Sequence, residues 1–326
     1  MRIILISSIL GFFITLLSGN YIIKYLRKIG LVVKDMNKKD KPLVPISGGI
    51  MVLGGIIFSL LAFIFIQTFI YKNNIYTISV FAALNTILLI SLVGLVDDLL
   101  IKSSKESSHG LKQWQKPLLT LLASIPLIVI NVGDTIMWLP LIGKVNVGLL
   151  YPLLFIPIGV VGAANMVNML AGYNGLEAGM GLVYTGMLGL YSYFNGYYLG
   201  ALIAAVTFFS LIPFLIFNKS PARVLPGDSL TYLLGASLVC IAVLGNIEKA
   251  AIICSIPFFI EFVLKARSKF KANSYGYIKN GKIHSFYDKI YSIPHIFART
   301  GKFTEKQIVY FCITIELLFS SLIWVL

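Results

Sequence analysis

Charged side chains are scarce in this chain of 326 residues, where Asp, Glu, Lys and Arg together make up only 12%. A soluble globular protein carries about twice that share, and hydrophobic residues reach 58% here. Cysteine and histidine are also rare, with three of each. These shortages exclude a soluble enzyme, a disordered chain and a disulfide-stabilised secreted domain. The sequence therefore predicts a protein embedded in a lipid bilayer.

Acidic residues are few as well, with 13 Asp and Glu against 27 Lys and Arg, a net charge of +14. In a membrane protein such an excess is typical of basic cytoplasmic loops, so we expect membrane lipids as neighbours and no nucleic-acid partner. All three cysteines lie in apolar stretches and are predicted to be buried hydrophobic residues (Cys240, Cys254, Cys312). The histidines show no metal-ligand spacing and are predicted to lie at the surface (His109, His284, His295).

Ten stretches are apolar enough and nearly long enough, at roughly 20 residues each, to cross a bilayer. They span residues 3–26, 48–70, 76–96, 116–133, 148–167, 179–194, 197–217, 229–246, 249–265 and 306–326. The predicted fold is an all-α polytopic membrane protein, with residues 1–326 forming one domain. Residues 134–147 carry an apolar patch of their own and are predicted to form a re-entrant segment or a small hairpin.

Lysine and arginine are distributed unevenly between the two sides of these spans. The odd-numbered loops hold 23 of them, counting the residues that flank the spans, whereas the rest of the chain holds only Arg2, Lys72, Lys144 and Lys249. Positive residues mark the cytoplasmic side. Both termini are therefore predicted to be extracytoplasmic, and the polar motifs, which all fall at odd loops, are predicted to form a cytoplasmic active site.

An acidic pair, Asp97 and Asp98, ends the third span. Carboxylates are unfavourable at a helix C-terminus because the helix dipole is negative there, so a divalent cation or a lysine should compensate them. Adjacent helical side chains point about 100° apart, and we expect the two carboxylates to serve different partners. A solvated helix end is the simpler alternative.

Amide side chains are concentrated in and after the fifth span, and their oxygens suit a hard cation or a nucleobase edge. Asn165 and Asn168 are three residues apart and are expected to share a helix face. Asn174 begins an Asn-Gly pair that a turn alone would explain. In the seventh loop, Asp228 follows Arg223 and precedes the eighth span, where it could equally cap the helix or bind a metal.

Loop nine, residues 265–306, is long and basic. Its positive charge suits either anionic lipid headgroups or the phosphates of a substrate. Two acids lie within spans and require partners. Glu261 is expected to pair with Lys265 one helical turn later, whereas no partner is predicted for Glu316.

Taken together, these motifs resemble the polyprenyl-phosphate N-acetylhexosamine-1-phosphate transferases of glycosyltransferase family 4. The dolichyl-phosphate N-acetylglucosamine phosphotransferases of eukaryotes and archaea are the nearest group. The matching stretches are 34–38, 45–49, the 97–98 pair, Lys116, 168–179 and 223–228. Of these, Asn-Gly-Leu-Glu-Ala-Gly at 174–179 is the most specific.

The resemblance implies that a lipid phosphate attacks the β-phosphorus of UDP-N-acetylglucosamine and that UMP leaves. The product, polyprenyl-diphosphate-N-acetylglucosamine, would be the first lipid-linked intermediate of N-glycan assembly. Mg²⁺, or Mn²⁺ in its place, is the implied cofactor, held by Asn168 and Asp228. The implied catalytic residues are Asp97, Asp98, Lys116 and Asp228, and the implied substrate-binding residues are Gly49, Asn174, Glu177, Arg223, Arg267 and Lys269.

Loop nine departs from the family pattern because the matching region, residues 267–276, contains no histidine, so a histidine is not expected to be essential there. Two other functions stay open: a phosphotransferase of the same superfamily that uses another UDP-sugar, such as a cell-wall precursor, and a transporter of lipid intermediates. The expected location is the cell membrane, or an internal membrane in a eukaryote. A homodimer is left open.

Overall fold

The computed structural model describes residues 2–103, 110–130, 135–139 and 143–326, and within them the chain forms a helical bundle with three short hairpins. The longer helices are α1 (Arg2–Lys28), α2 (Gly49–Phe65), α3 (Thr77–Ser103), α6 (Ile156–Met169), α7 (Leu176–Phe194), α8 (Tyr198–Asn218), α9 (Gly227–Gly245) and α13 (Glu305–Ser321). The shorter ones are α4 (Gln115–Ala123), α5 (Ile125–Val129), α10 (Glu248–Cys254), α11 (Ile256–Arg267) and α12 (Ile293–Ala298). The predicted all-α polytopic class is confirmed.

Short irregular helical segments extend three of these helices. A π-helical segment at Ile66–Ile70 continues α2, another at Tyr151–Phe155 leads into α6, and a 3₁₀ turn at Leu322–Trp324 follows α13. α6 and its leading segment together form one apolar stretch that is long enough to span a bilayer.

The described part of each of the ten predicted spans is mainly helical, but only seven helices in that part of the chain are individually long and apolar enough to cross a membrane. The count is thus lower than ten. The fourth predicted span divides into α4 and α5 at Ser124, and the ninth divides into α10 and α11 at Ser255. A proline follows each break by two residues, where it cannot continue the backbone hydrogen bonding of the preceding helix. The sixth span, α7, is continuous but contains four glycines and three tyrosines.

Helix α9 lies at the centre of the bundle, where it packs against α2, α3, α6, α7, α8 and α10. Every residue from Ser229 to Gly245 is buried. A helix that is apolar on all sides is stable only when other helices surround it. The position of α9 therefore fixes the position of its first residues, among them Asp228.

The three hairpins are antiparallel and lie between helices. Strands β1 (Val32–Lys34) and β2 (Leu43–Pro45) precede α2, and β5 (Tyr277–Lys279) and β6 (Lys282–His284) belong to loop nine. Strands β3 (Ile136–Leu139) and β4 (Gly143–Asn146) fall within residues 134–147 and confirm the hairpin alternative for that segment.

Small residues allow the helices around the centre to approach closely, as is common in membrane bundles. A Cβ at Gly235 of α9 would lie 2.5 Å from the Cα of Ala164 and 2.6 Å from the carbonyl oxygen of Ala163, both on α6. A Cβ at Gly54 of α2 would meet no atom within 4 Å. The two glycines are thus a matched pair, one at a tight helix crossing and one in open space.

We expect Gly235→Ala to lower the thermal unfolding midpoint of the detergent-solubilised protein, because the new methyl group would overlap backbone atoms that cannot move aside. Overpacking of this kind costs about 1–3 kcal/mol. The control Gly54→Ala should leave the midpoint unchanged or raise it slightly, since alanine favours helix over glycine by about 1 kcal/mol. Equal midpoints for the two variants would show that the α6–α9 contact is not tight.

Candidate active site

An ammonium group lies between two carboxylates at one end of the bundle. The Lys116 Nζ, at the start of α4, is 2.8 Å from the Asp97 Oδ2 on α3 and 2.8 Å from the Asp228 Oδ2 on α9. Asp97 also accepts the backbone N–H of Leu111. Lys116 and Asp228 are partly exposed, whereas Asp97 is buried. The compensating lysine expected for the acidic pair is therefore present for Asp97.

Asn168 extends this cluster from α6. Its Nδ2 donates to the Asp228 Oδ2 at 3.1 Å, and its Oδ1 accepts from the Thr231 hydroxyl at 2.9 Å. Asn165 lies on the same face of α6, and its Oδ1 accepts from the Tyr232 hydroxyl at 3.2 Å. The prediction that the two asparagines share a helix face is confirmed, and that face points toward the first turn of α9.

Asp98 has a different set of partners from its neighbour. Its two carboxylate oxygens accept the backbone N–H groups of Asp228 at 2.8 Å and Ser229 at 3.2 Å, and the Ser47 hydroxyl at 2.7 Å. The side chain is fully buried. The first N–H groups of a helix lack partners within that helix, and Asp98 supplies them for α9. Asp98, and not Asp228, is thus the capping carboxylate, and it fixes where Asp228 stands.

The sequence suggested that the acidic pair ends its helix, but in the structure the helix continues beyond it. Helix α3 continues to Ser103, more than a turn beyond Asp98. The carboxylates are stabilised by groups from other helices, since Lys116 comes from α4 and the N–H groups of Asp228 and Ser229 come from α9. The expectation that the two carboxylates serve different partners is confirmed.

A cavity of about 1340 Å³ opens beside the cluster, and Asp97, Lys116, Asn168 and Asp228 form its polar end. From there it runs as a groove between α6, α9, α10 and α11. Its walls along these helices are mostly apolar, with Phe155, Ile158, Val239, Val243, Ile252 and Phe259 among the lining residues. Four of the predicted site residues are thus assembled at one place.

Asn174 and Glu177 lie in a second polar cluster, outside the cavity lining. The Asn174 Nδ2 donates to the Asp35 Oδ2 at 2.8 Å, and its backbone N–H donates to the Glu305 Oε1 at 3.1 Å. Lys38 forms an ion pair with Glu305. This cluster connects the first loop, the fifth loop and the start of α13.

Glu177 is buried in the first turn of α7, and its Oε1 accepts the backbone N–H of Gly172 at 2.7 Å. Its Oε2 has no hydrogen-bond partner among the described residues. Gly172 itself lines the cavity. Glu177 therefore supports the cavity wall from behind through the backbone of the fifth loop.

Two other predicted substrate-binding residues are placed away from the cavity. Gly49 begins α2, and a Cβ there would overlap the backbone of Ser229 and Leu230, so its role in the structure is close packing against α9. Arg223 is exposed, donates to the Asn20 Oδ1 at 2.7 Å and stacks its guanidinium 5.2 Å from the centre of the Phe217 ring. Neither residue lines the cavity.

In loop nine, Arg267 and Lys269 are exposed and lie outside the cavity lining. Lys265 lines the cavity instead, one turn earlier on α11. Its Nζ donates to the Ala272 carbonyl at 2.7 Å and to the Ser274 Oγ at 2.8 Å, and it lies 3.7 Å from the Glu261 carboxylate. The predicted Glu261–Lys265 pair is confirmed. The predicted site residues did not include Lys265, although its spacing of four residues from Glu261 already indicated that its side chain faces inward.

The surface prediction for the histidines is wrong for His295, which is fully buried in α12. Burial lowers the pKa of this imidazole to about 4, so the ring is neutral at pH 7. Its Nε2 lies 2.9 Å from the Asn273 carbonyl oxygen, which fixes a residue of the cavity wall. The apolar sequence Ile293–Ala298 around it was the available signal. His109 lies outside the described residues.

Glu316 is buried in α13 and accepts the Ser320 hydroxyl at 2.8 Å, one helical turn later. The sequence analysis had predicted no partner for Glu316, and Ser320 is that partner. The three cysteines are free and buried, as predicted.

The described residues contain no group of three His, Cys, Asp or Glu side chains that could enclose a metal ion. Mg²⁺ usually binds through one or two carboxylates together with substrate phosphates, and the carboxylates of Asp97 and Asp228 match that kind of site. Asn168 would add its Oδ1 only after its side-chain amide turns, since here its Nδ2 faces Asp228 and its Oδ1 accepts from Thr231. With all groups ionised, two carboxylates and one ammonium carry a net negative charge. The cluster therefore suits a further cation before it suits an anionic substrate.

Residues 80–246, half of the chain, match the profile of glycosyl transferase family 4. This segment contains Asp97, Lys116, Asn168 and Asp228. The chain belongs to that family.

Two archaeal relatives in this family match nearly the whole chain. A Saccharolobus solfataricus protein is 34% identical over 97% of this chain and 94% of its own length. A Sulfolobus acidocaldarius protein is 36% identical over 98% of this chain and 94% of its own length. Both carry the provisional name UDP-N-acetylglucosamine–dolichyl-phosphate N-acetylglucosaminephosphotransferase. A phospho-N-acetylmuramoyl-pentapeptide-transferase of Halalkalibacterium halodurans is 29% identical over 88% of this chain and 89% of its own length.

We expect Lys265→Gln to lower the thermal unfolding midpoint and to weaken nucleotide-sugar binding, because Glu261 would stay buried without its cation and residues 272–274 would lose their anchor. Removing one partner of a buried ion pair costs about 3–5 kcal/mol. The matched controls Arg267→Gln and Lys269→Gln should change neither quantity much. Thermal unfolding measures the midpoint, and calorimetric titration measures nucleotide-sugar binding. A larger effect for either control would mean that Arg267 or Lys269, and not Lys265, supports binding.

Proposed function

We propose that this protein transfers N-acetylglucosamine-1-phosphate from UDP-N-acetylglucosamine to a polyprenyl or dolichyl phosphate, with release of UMP. The observation that carries the proposal is the Lys116 ammonium between Asp97 and Asp228, at the polar end of an apolar groove. A phosphate group with a long hydrocarbon tail matches both parts of this cavity. The names of the archaeal relatives support the same donor and acceptor.

The groove suits the prenyl chain of the acceptor because its walls are apolar and one flank is open to lipid. Ile158 and Phe259 line it and are also exposed on the surface of the bundle, at 58% and 42%. An acceptor can therefore slide in from the bilayer without its tail crossing water. Its phosphate then lies beside the Lys116 cluster, whose net negative charge a bound Mg²⁺ would reverse.

Phosphoryl transfer depends mainly on positioning and on neutralising charge. Asp228 and Asn168 would hold Mg²⁺ together with the diphosphate of the donor, and the ion would neutralise the charge that builds up on the leaving UMP. Asp97 orients the Lys116 ammonium. Asp98 sets the position of Asp228 through the N–H groups of α9 and does not itself contact substrate.

The lipid phosphate needs no strong base. A phosphate monoester carries a charge of about −1.5 to −2 at pH 7 and is already a nucleophile, so we favour direct attack on the β-phosphorus over a covalent aspartyl intermediate. Asn174, Glu177 and the Gly49 region act on the uridine side by shaping the fifth loop and the start of α9. Arg223, Arg267 and Lys269 are assigned weaker roles, because they are exposed outside the cavity.

A phosphotransferase for a muramoyl-peptide precursor is the second candidate, since a relative with that name matches most of the chain. The two donors differ in the sugar and not in the diphosphate, so the Lys116 cluster serves both equally. A transporter is disfavoured because the cavity's cluster of acidic residues lies at its polar end, whereas transport sites usually lie near the bilayer midplane.

The deciding experiment is a transfer assay on the purified, detergent-solubilised protein with UDP-N-acetylglucosamine, polyprenyl phosphate and Mg²⁺, read by mass spectrometry of the lipid. We expect polyprenyl-diphosphate-N-acetylglucosamine and UMP. Asp228→Asn should abolish Mg²⁺-dependent turnover, whereas the control Asp40→Asn, an exposed acid of the first loop, should retain it. Full activity of Asp228→Asn would refute the metal assignment, and product formed only from the muramoyl donor would favour the second candidate.

Asp97→Asn should leave UDP-sugar binding largely intact and slow transfer, because the change removes the charge that orients Lys116 without altering the donor side of the cavity. Single-turnover transfer and calorimetric binding of the UDP-sugar separate the two effects. Loss of nucleotide binding in this variant would mean that Asp97 belongs to the donor site.

A further inference from the structure

The groove has a second polar end, opposite the Lys116 cluster. There the Tyr151 hydroxyl donates to the Glu248 carboxylate, and both residues line the cavity. Tyr151 begins the π-helical segment that leads into α6, and Glu248 begins α10. Tyr151 is buried. A polar pair therefore lies at this end of the groove, beyond its apolar walls.

Between its two ends, the groove offers few polar contacts to a hydrocarbon tail. The Ser255 hydroxyl, at the break between α10 and α11, donates to the Ala251 carbonyl at 2.7 Å and is thereby satisfied. The stretch from Tyr151 to Met169 lines one wall over almost its full length. At 1.5 Å per residue that wall is about 27 Å long, close to the roughly 30 Å of a bilayer's hydrocarbon core.

We infer that the Tyr151–Glu248 pair is a length stop for the prenyl chain of the acceptor, an inference that rests on the function proposed above. A hydrocarbon chain that reached the pair would have to cover a carboxylate and a hydroxyl that it cannot hydrogen-bond, which is unfavourable. Short acceptors end before the pair. Longer chains must leave the groove sideways, through the flank beside Ile158 and Phe259.

The stop acts by exclusion and not by attraction. A prenyl chain in the bilayer is already in an apolar surrounding, so extending further along the groove brings no gain from leaving water. The polar pair therefore discriminates only between acceptors that reach it and acceptors that do not. Its removal should change the use of long acceptors and leave short acceptors unaffected.

The test compares geranyl phosphate with undecaprenyl phosphate as acceptors for the full-length protein in lipid nanodiscs. The double variant Tyr151→Phe/Glu248→Leu removes both polar groups of the pair together. We expect kcat/KM for undecaprenyl phosphate to rise about ten-fold relative to that for geranyl phosphate, with the geranyl value unchanged. Glu248→Gln keeps an acceptor for the Tyr151 hydroxyl and should behave like the wild type.

The matched control is Lys249→Gln, a change of charge at the neighbouring residue, which lies outside the cavity lining. It should leave the ratio between the two acceptors unchanged. An equal loss with both acceptors, together with a lower unfolding midpoint, would mean that the pair only fastens α6 to α10 and would overturn the length stop. An unchanged ratio in a stable double variant would also overturn it. If the wild type transferred to neither acceptor, the proposed function itself would fail.

Discussion

The Asp98 carboxylate, which accepts the first N–H groups of α9, is the contact on which the rest of the site depends. It joins α3, α9 and the segment that leads into α2 at one point, because the hydroxyl of Ser47, two residues before α2, donates to the same group. A negative charge is favourable at the positive end of a helix dipole, and here it is supplied from another helix. Since α9 is enclosed on all sides, its first turn has no other position to adopt.

The arrangement of the polar cluster follows from the adjacency of two aspartates in the sequence. Asp97 is adjacent to Asp98 on α3 and points to a different side, toward Lys116. The capping contact brings Asp228 to the same ammonium from α9, and α6 adds Asn168. Two helices that are distant along the chain, α3 and α9, therefore meet at the Lys116 ammonium because one buried carboxylate fixes their relative positions. The polar group around Asn174, Asp35, Lys38 and Glu305 holds the surrounding loops in a similar way.

Sequence reasoning succeeded where local chemistry is informative. The unfavourable pair of acids required a compensating cation, the spacing of Asn165 and Asn168 required a shared face, and Glu261 required Lys265. It failed where the role of a side chain depends on the direction in which the folded protein points it. Arg267 and Lys269 are as basic as Lys265, but Lys265 lies on the buried face of α11, whereas Arg267 is exposed at the last residue of the helix and Lys269 follows it. His295 is buried against Asn273 and the Tyr287 ring, and its distance from these residues along the chain does not predict the contacts. The ten predicted spans included two that prolines divide, because hydropathy averages over such breaks.

The broken helix pair α10 and α11 forms one wall of the groove, while the continuous helices α6 and α9 form the other. Under the proposed function, one substrate would arrive by diffusion in the plane of the membrane, through the flank beside Ile158 and Phe259, and the other would arrive from water at the Lys116 end. The two routes do not cross, so neither substrate obstructs the other. Either substrate could therefore enter a site that already holds the other.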